Sequence, residues 1–304
     1  MNGVATGMER SELFELELDL PDARLQRTAE RLIGFQRRYE QIRRDLALLA
    51  SPNELQRWSE KHYGKLLPAC EVINDRYPLI VFAGDVGTGK TATAEAACDR
   101  LARELKKQAM LFKLSTRVRG SGKVGQMSTL LNQAFETVAR EAGKARLSFL
   151  IIDEADSLAA SRDNQHSHHE DKVAVNTIIQ KIDDLRRLGG RCVVFLCTNR
   201  LAVLDPAILR RAARIETFER PNEREREELI RMDCAGLALD ESTIRELIAL
   251  TGPSVSTNQP GFTFSDFRSR WLPEAVAQAF PERPLKADDL LNAARHITPS
   301  PTIV

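Results

Sequence analysis

A chain of 304 residues exceeds one typical domain and leaves room for about two structural units. With 42% hydrophobic and 29% charged residues it falls outside the profile of a disordered chain. Forty-four basic residues against 43 acidic ones give +1, which excludes a global field drawing the protein to nucleic acid or anionic lipid. The five cysteines, Cys70, Cys98, Cys192, Cys197 and Cys234, form no CxxC pair and read as reduced thiols of a cytoplasmic protein. The first residues carry no apolar stretch resembling a signal peptide, and runs such as FLII and VVFLC are too short to span a bilayer, so no membrane role is expected.

After Pro21 and Asp22, apolar residues recur at Leu25, Leu32, Phe35, Tyr39, Ile42, Leu46 and Leu49, mostly at alternating steps of three and four. That spacing predicts one long amphipathic helix, whose stripe either packs on the rest of the protein or meets a partner or neighbouring subunit. Ser51-Pro52-Asn53 marks a break. From Pro78 onward short apolar runs alternate with helix-length segments, the pattern of a parallel sheet with crossover helices. The runs are 79–83, 110–114, 147–152 and 191–197, with a weaker one at 214–218. Several lack alternation, as strands covered on both faces should. After Pro221 the pattern is helical only, at 223–234, 240–250, 263–280 and 284–296. The expected organisation is an N-terminal helical region (1–72), an α/β domain of three αβα layers on a parallel sheet (73–220), and a small all-helical domain (221–304).

The chemistry begins directly after the first of these strands. GDVGTGKT fits the pattern GxxxxGKT at Gly84, Gly89, Lys90 and Thr91, with Asp85, Val86, Gly87 and Thr88 between. Its glycines let successive backbone N–H groups turn inward around phosphate oxygens, and the helix that follows points its positive end at the same anion. Lys90 then reaches the β- and γ-phosphates of ATP or ADP, and the Thr91 hydroxyl binds Mg²⁺. The third strand ends in FLIIDEAD, placing Asp153 and Glu154 at its carboxyl edge, where open parallel sheets bind ligands. Asp153 is suited to hold Mg²⁺ and Glu154 to polarise the attacking water. The fourth strand ends in CTNR; if it lies between the other two, Asn199 reaches the γ-phosphate and the lytic water.

Phosphate loop, DE pair and Asn on successive strand ends resemble the AAA+ P-loop ATPases, in which they are Walker A, Walker B and sensor 1. The resemblance covers roughly 73–297, lid included, and implies a ring, commonly a hexamer, in which one subunit's arginine completes its neighbour's site. LDPAILRRAAR resembles the segment that carries this arginine and offers Arg210, Arg211 and Arg214; an ungapped match places it on Arg211. DEADSLAASR and the arginine in RRAAR resemble the pachytene checkpoint ATPase branch in its compact bacterial form. That branch implies a HORMA-domain partner in an antiphage system. In STRVRGSGKVGQ the pore-loop aromatic of the family is replaced by Val118, flanked by Arg117 and Arg119, and this residue is expected to grip the substrate. In GFTFSDFRSR the sensor 2 position falls on Ser265, leaving Arg268 as the nucleotide-contacting substitute, with Arg270 behind it.

The rival class is an ATP-controlled nucleic-acid assembly switch, such as a replication initiator, clamp loader or transposition helper. The basic cluster Arg117, Arg119 and Lys123 favours it; the near-zero net charge and the lack of a helix-turn-helix after the lid argue against it. His166, His168 and His169 have no partner at the spacing of a structural zinc site and read as a solvated loop. Phe262, Phe264, Phe267 and Trp271 read as lid core.

Overall fold

The computed structural model describes residues 10–119, 126–143, 146–158, 169–254 and 258–302. They divide into two compact units. The first takes the described residues of 1–30, 36–83 and 91–216; the second takes 31–35, 84–90 and those of 217–304.

The first unit is built on a six-stranded sheet. Its strands are β1 (Phe14–Leu20), β2 (Leu79–Gly84), β3 (Ala109–Leu114), β4 (Leu147–Ile152), β5 (Cys192–Thr198) and β6 (Arg214–Phe218), in the order β1-β3-β4-β5-β2-β6. β3, β4, β5 and β2 run parallel, whereas β1 is antiparallel to β3. The sheet is therefore mixed, and its antiparallel edge comes from a segment that shows no strand pattern beyond FELEL. Every residue of β4 and β5 is buried, which explains why their sequences do not alternate. Alternate strand residues feed opposite faces: Val81, Leu150, Ile152, Val194 and Leu196 share a core with Leu130 and Phe135 of α7 (Gln126–Ala142) and Ile178 of α8 (His169–Arg186). Phe82, Phe149 and Phe195 are equally buried, and Phe82 meets Phe195 edge-on at 5.4 Å.

The stripe expected as one helix is two, α2 (Ala23–Arg31) and α3 (Phe35–Ala50). Gly34 separates them at φ +71, a conformation that ends a helix and favours glycine. Most of the stripe lies on α3, where Tyr39, Ile42 and Leu46 are buried, as are Ala94, Ala97, Cys98 and Leu101 of α6 (Lys90–Leu105). Arg43 of α3 reaches Glu104 of α6 at 2.7 Å. All five cysteines are buried, and burial pushes the Cys98 thiol well up.

The second unit contains α10 (Glu223–Asp233), α11 (Glu241–Leu250), α12 (Phe264–Asp266), a single π-helical turn Phe267–Trp271 continuing into α13 (Leu272–Ala277), and α14 (Ala287–His296). Its core holds Phe262, Phe267 and Trp271, with Phe264 packed against it, as the sequence suggests; Ile33, from the α2–α3 break, is buried in the same cluster. The Trp271 indole donates to Leu290 O at 2.9 Å, satisfying its one polar group. Among the described residues no helix is long and apolar enough to cross a membrane.

Candidate active site

In the first unit, the strand order places β5 between β4 and β2, which meets the geometric condition attached to Asn199. Thr91 Oγ1 donates to Asp153 Oδ2 at 2.7 Å, so a hydroxyl from the start of α6 and a carboxylate from the end of β4 are joined directly. This all-oxygen pair suits Mg²⁺, which takes one or two protein oxygens and completes its shell with phosphate and water. Among the described residues no group of three or more His, Cys, Asp or Glu side chains could hold a metal ion. Glu154 is exposed and sits at φ +48, in the left-handed region that non-glycine residues seldom occupy. Strain of this kind gathers at functional sites. Its amide is bonded to Asp153 Oδ1 at 2.9 Å, and its carbonyl accepts from Ser157 Oγ at 2.7 Å.

Two residues around these carboxylates had no assigned role in the sequence. Asp156 Oδ1 accepts from Thr198 Oγ1 at 3.0 Å and from the Asn199 amide at 3.2 Å, pinning the end of β5 to the turn after β4. Lys113 of β3 lies 3.7 Å from Asp153, 2.7 Å from Glu15 of β1 and 4.0 Å from Glu95 of α6. Burial pulls its ammonium down, but the hydrogen bond to Glu15 and the three carboxylates outweigh that and hold its pKa above the usual lysine value. Burial pushes the Glu95 carboxyl up despite the pull of Lys113. The signal for Lys113 was a charge inside an otherwise apolar strand, and for Asp156 a second carboxylate in the DEAD run.

The second unit contains the glycine loop Gly84–Lys90. Gly84, Gly87 and Gly89 take φ +148, +73 and +89. At Gly87 the demand is double, because a Cβ there would stand 2.7 Å from Thr263 Oγ1 and 2.8 Å from Ser265 Cβ. Lys90 is buried and folds back onto the loop, donating to Gly84 O at 2.9 Å and Asp85 O at 2.8 Å, while Thr88 Oγ1 donates to Asp85 O. The loop is thus preshaped around its own lysine, as a phosphate cradle requires. Ser265 meets it through backbone, its amide donating to Gly87 O at 3.1 Å. Arg268 is turned to Asp233, with bonds of 2.6 and 3.1 Å, and Arg270 to Asp266 and Thr298 O.

The three candidate arginines after β5 differ sharply. Arg211 donates to Asp183 at 2.7 and 3.1 Å and to Ala207 O at 2.9 Å, and lies over the Tyr77 ring at 5.1 Å. Its hydrogen bond to Asp183 raises its pKa further. Arg214 is bonded to Glu216 and Asp45. Arg210 is exposed and has no side-chain partner among the described residues.

Val118 corrects an expectation. It is 0% exposed, within the core cluster that also holds Phe14, Leu114 and Met127, because the 3-10 turn Thr116–Arg119 after β3 rolls it inward. An apolar side chain so placed does not grip a substrate. Arg117 is exposed. The Arg119 side chain, Lys123, His166, His168 and the His169 side chain lie outside the described residues.

The ATPase family associated with various cellular activities (AAA) matches residues 80–220. The CD-NTase-associated protein 6 of Escherichia coli (strain KTE188) is 51% identical over 97% of this chain and 99% of its own length. Among solved structures, the E. coli MS115-1 HORMA:CdnC:Trip13 complex contains a chain 38% identical with a TM-score of 0.88, covering 97% of this chain and 98% of that one. The Rhizobiales Trip13 structure is 34% identical with a TM-score of 0.71, covering 95% and 100%. The loop, the strand order and these likenesses together make the chain a member of the AAA ATPase family, related to CD-NTase-associated protein 6 and Trip13.

Proposed function

We propose that this ATPase forms a ring, a hexamer on the family resemblance, and uses ATP hydrolysis to disassemble or unfold a protein partner, a HORMA-domain regulator of a cyclase-based antiphage system. The observation that carries the catalytic part is the Thr91–Asp153 hydrogen bond beside a strained Glu154, on strand ends ordered β4-β5-β2. On this reading Gly84–Lys90 holds the phosphates, Thr91 and Asp153 hold Mg²⁺, Glu154 polarises the water and Asn199 orients it. Bound there, Mg²⁺ would supply charge neutralisation at the phosphates. Arg268 would exchange Asp233 for nucleotide. For the arginine acting across a subunit boundary, Arg210, exposed and with no side-chain partner among the described residues, is the stronger candidate than Arg211, which would first have to leave Asp183.

The partner is supported by the similar chain that stands in a HORMA:CdnC:Trip13 complex, and by nearly full-length coverage of it. The test is to add the purified protein and ATP·Mg²⁺ to a complex of a HORMA-domain protein, taken from the gene's own neighbourhood where one is encoded there. ATP-dependent release of that protein, absent with a non-hydrolysable analogue, is expected. Stimulation by DNA that collapses with rising salt, with no effect on the HORMA complex, would support the nucleic-acid switch instead.

A further inference from the structure

Asp85 places a carboxylate inside the phosphate loop, where a polyanion must bind. Both its oxygens are engaged. Oδ1 accepts from the Val86 amide at 2.8 Å, and Oδ2 accepts from Arg220 Nε at 2.7 Å. Arg220 directs its other donors to two carbonyls distant in sequence, Gly261 O at 2.6 Å and Ser300 O at 2.8 Å. The pair is largely withdrawn from water, with side chains 14% and 11% exposed for Arg220 and Asp85.

The C-terminal segment that supplies Ser300 is itself fixed. Ser300 Oγ donates to Asp266 Oδ1 at 2.6 Å, its amide donates to Asp266 Oδ2 at 3.2 Å, and Arg270 donates to Thr298 O at 2.8 Å. One guanidinium therefore joins the glycine loop, the turn before α12 and the C-terminal segment. Only a fork of several N–H donors can do this; an ammonium keeps the charge but not the planar reach.

We propose that Arg220 is a positioning residue for nucleotide binding. It neutralises Asp85 inside the loop and braces the loop against the segment around Ser300, which thereby becomes part of the support of the nucleotide site. This rests on the reading of Gly84–Lys90 as the ATP loop. Without Arg220 the loop keeps a poorly hydrated carboxylate that has lost its guanidinium and also repels the incoming phosphates, so two penalties fall on the bound state.

The test is titration of the full chain with a fluorescent ATP analogue and Mg²⁺. Arg220→Ala is expected to weaken binding by at least about tenfold, and in the Asp85→Asn background the same change should cost no more than about threefold. KM for ATP should rise more than kcat falls. A chain ending at Ile297 should lose affinity by a few-fold, since it removes Ser300 but leaves the charge pair. If the alanine variant unfolds, Arg220→Lys carries the test: a loss of about threefold, smaller in the Asp85→Asn background. Equal losses in both backgrounds, or unchanged affinity in a folded Arg220→Ala protein, would overturn the proposal alone. Failure of the wild-type chain to bind the analogue would overturn it together with the proposed function.

Discussion

The sheet edge and the glycine loop solve the problem of placing polar groups by different means. At the sheet edge, Asp153, Glu154 and Asn199 are set by strand ends, with Asp156 pinning the Asn199 amide and Thr91 of α6 meeting Asp153. In the loop, shape depends on residues more than a hundred positions away, Arg220 and Ser265 above all. A backbone ladder is insensitive to any one side chain. A loop braced by an ion pair and a glycine–serine approach is not, so loop lesions should weaken binding while sheet-edge lesions should alter the chemical step.

The largest expected effect breaks or upholds that contrast directly. Lys90→Ala should reduce nucleotide affinity below detection, because the loop loses both its ligand charge and the ammonium that folds it onto Gly84 and Asp85. Glu154→Gln should bind ATP normally, stabilise the oligomer and hydrolyse about 10²- to 10⁴-fold more slowly. Equal loss of ATP affinity in both, measured by titration, would remove the distinction.

A second experiment sharpens it within the sheet unit, where Arg211 is held by Asp183 and Arg210 has no side-chain partner among the described residues. Arg210→Ala should leave melting temperature and ATP affinity unchanged yet lower hydrolysis on the order of 10³-fold, the lower end of an arginine acting on transferring phosphate. Arg211→Ala removes bonds to Asp183 and Ala207 O and the contact over Tyr77, and should lower the melting temperature by about 2–4 °C. Mixed rings of Arg210→Ala and Lys90→Ala should regain hydrolysis, since some sites then pair an intact loop with an intact arginine. Recovery with Arg211→Ala and not with Arg210→Ala would reverse the assignment.

The smallest effect concerns acid. Burial pushes the Asp266 carboxyl up, but hydrogen bonds from Ser300 and Thr263 outweigh it and hold its pKa below the ordinary value. A depressed carboxyl contributes stability that is present above the unfolded value of about 3.9 and is lost as pH falls through the lower folded value. Thermal unfolding of Asp266→Asn should therefore fall below wild type by on the order of 2 °C at pH 7, with the gap closing as pH drops below about 4. A gap constant down to acid pH would show that Asp266 acts by shape and not by charge.

Sequence by itself determined five of the six strands, the helical second part, the GDVGTGKT loop and the DE and Asn strand ends, because each is a local pattern: apolar runs of strand length, glycines where backbone must turn, acids directly after a buried strand. It also located the arginine cluster, within which an ungapped family match singled out Arg211. Tertiary structure alone decided four things. Val118 went to the core and not the loop's tip, because a 3-10 turn reversed its side chain. FELEL became an antiparallel edge strand by pairing with β3, a contact about ninety residues distant in sequence. Arg211 found Asp183 while Arg210 found nothing among the described residues. Arg220 gathered Asp85, Gly261 and Ser300 around one guanidinium. Local pattern records where the backbone must turn and what must be buried; which charge meets which depends on segments that only folding brings together.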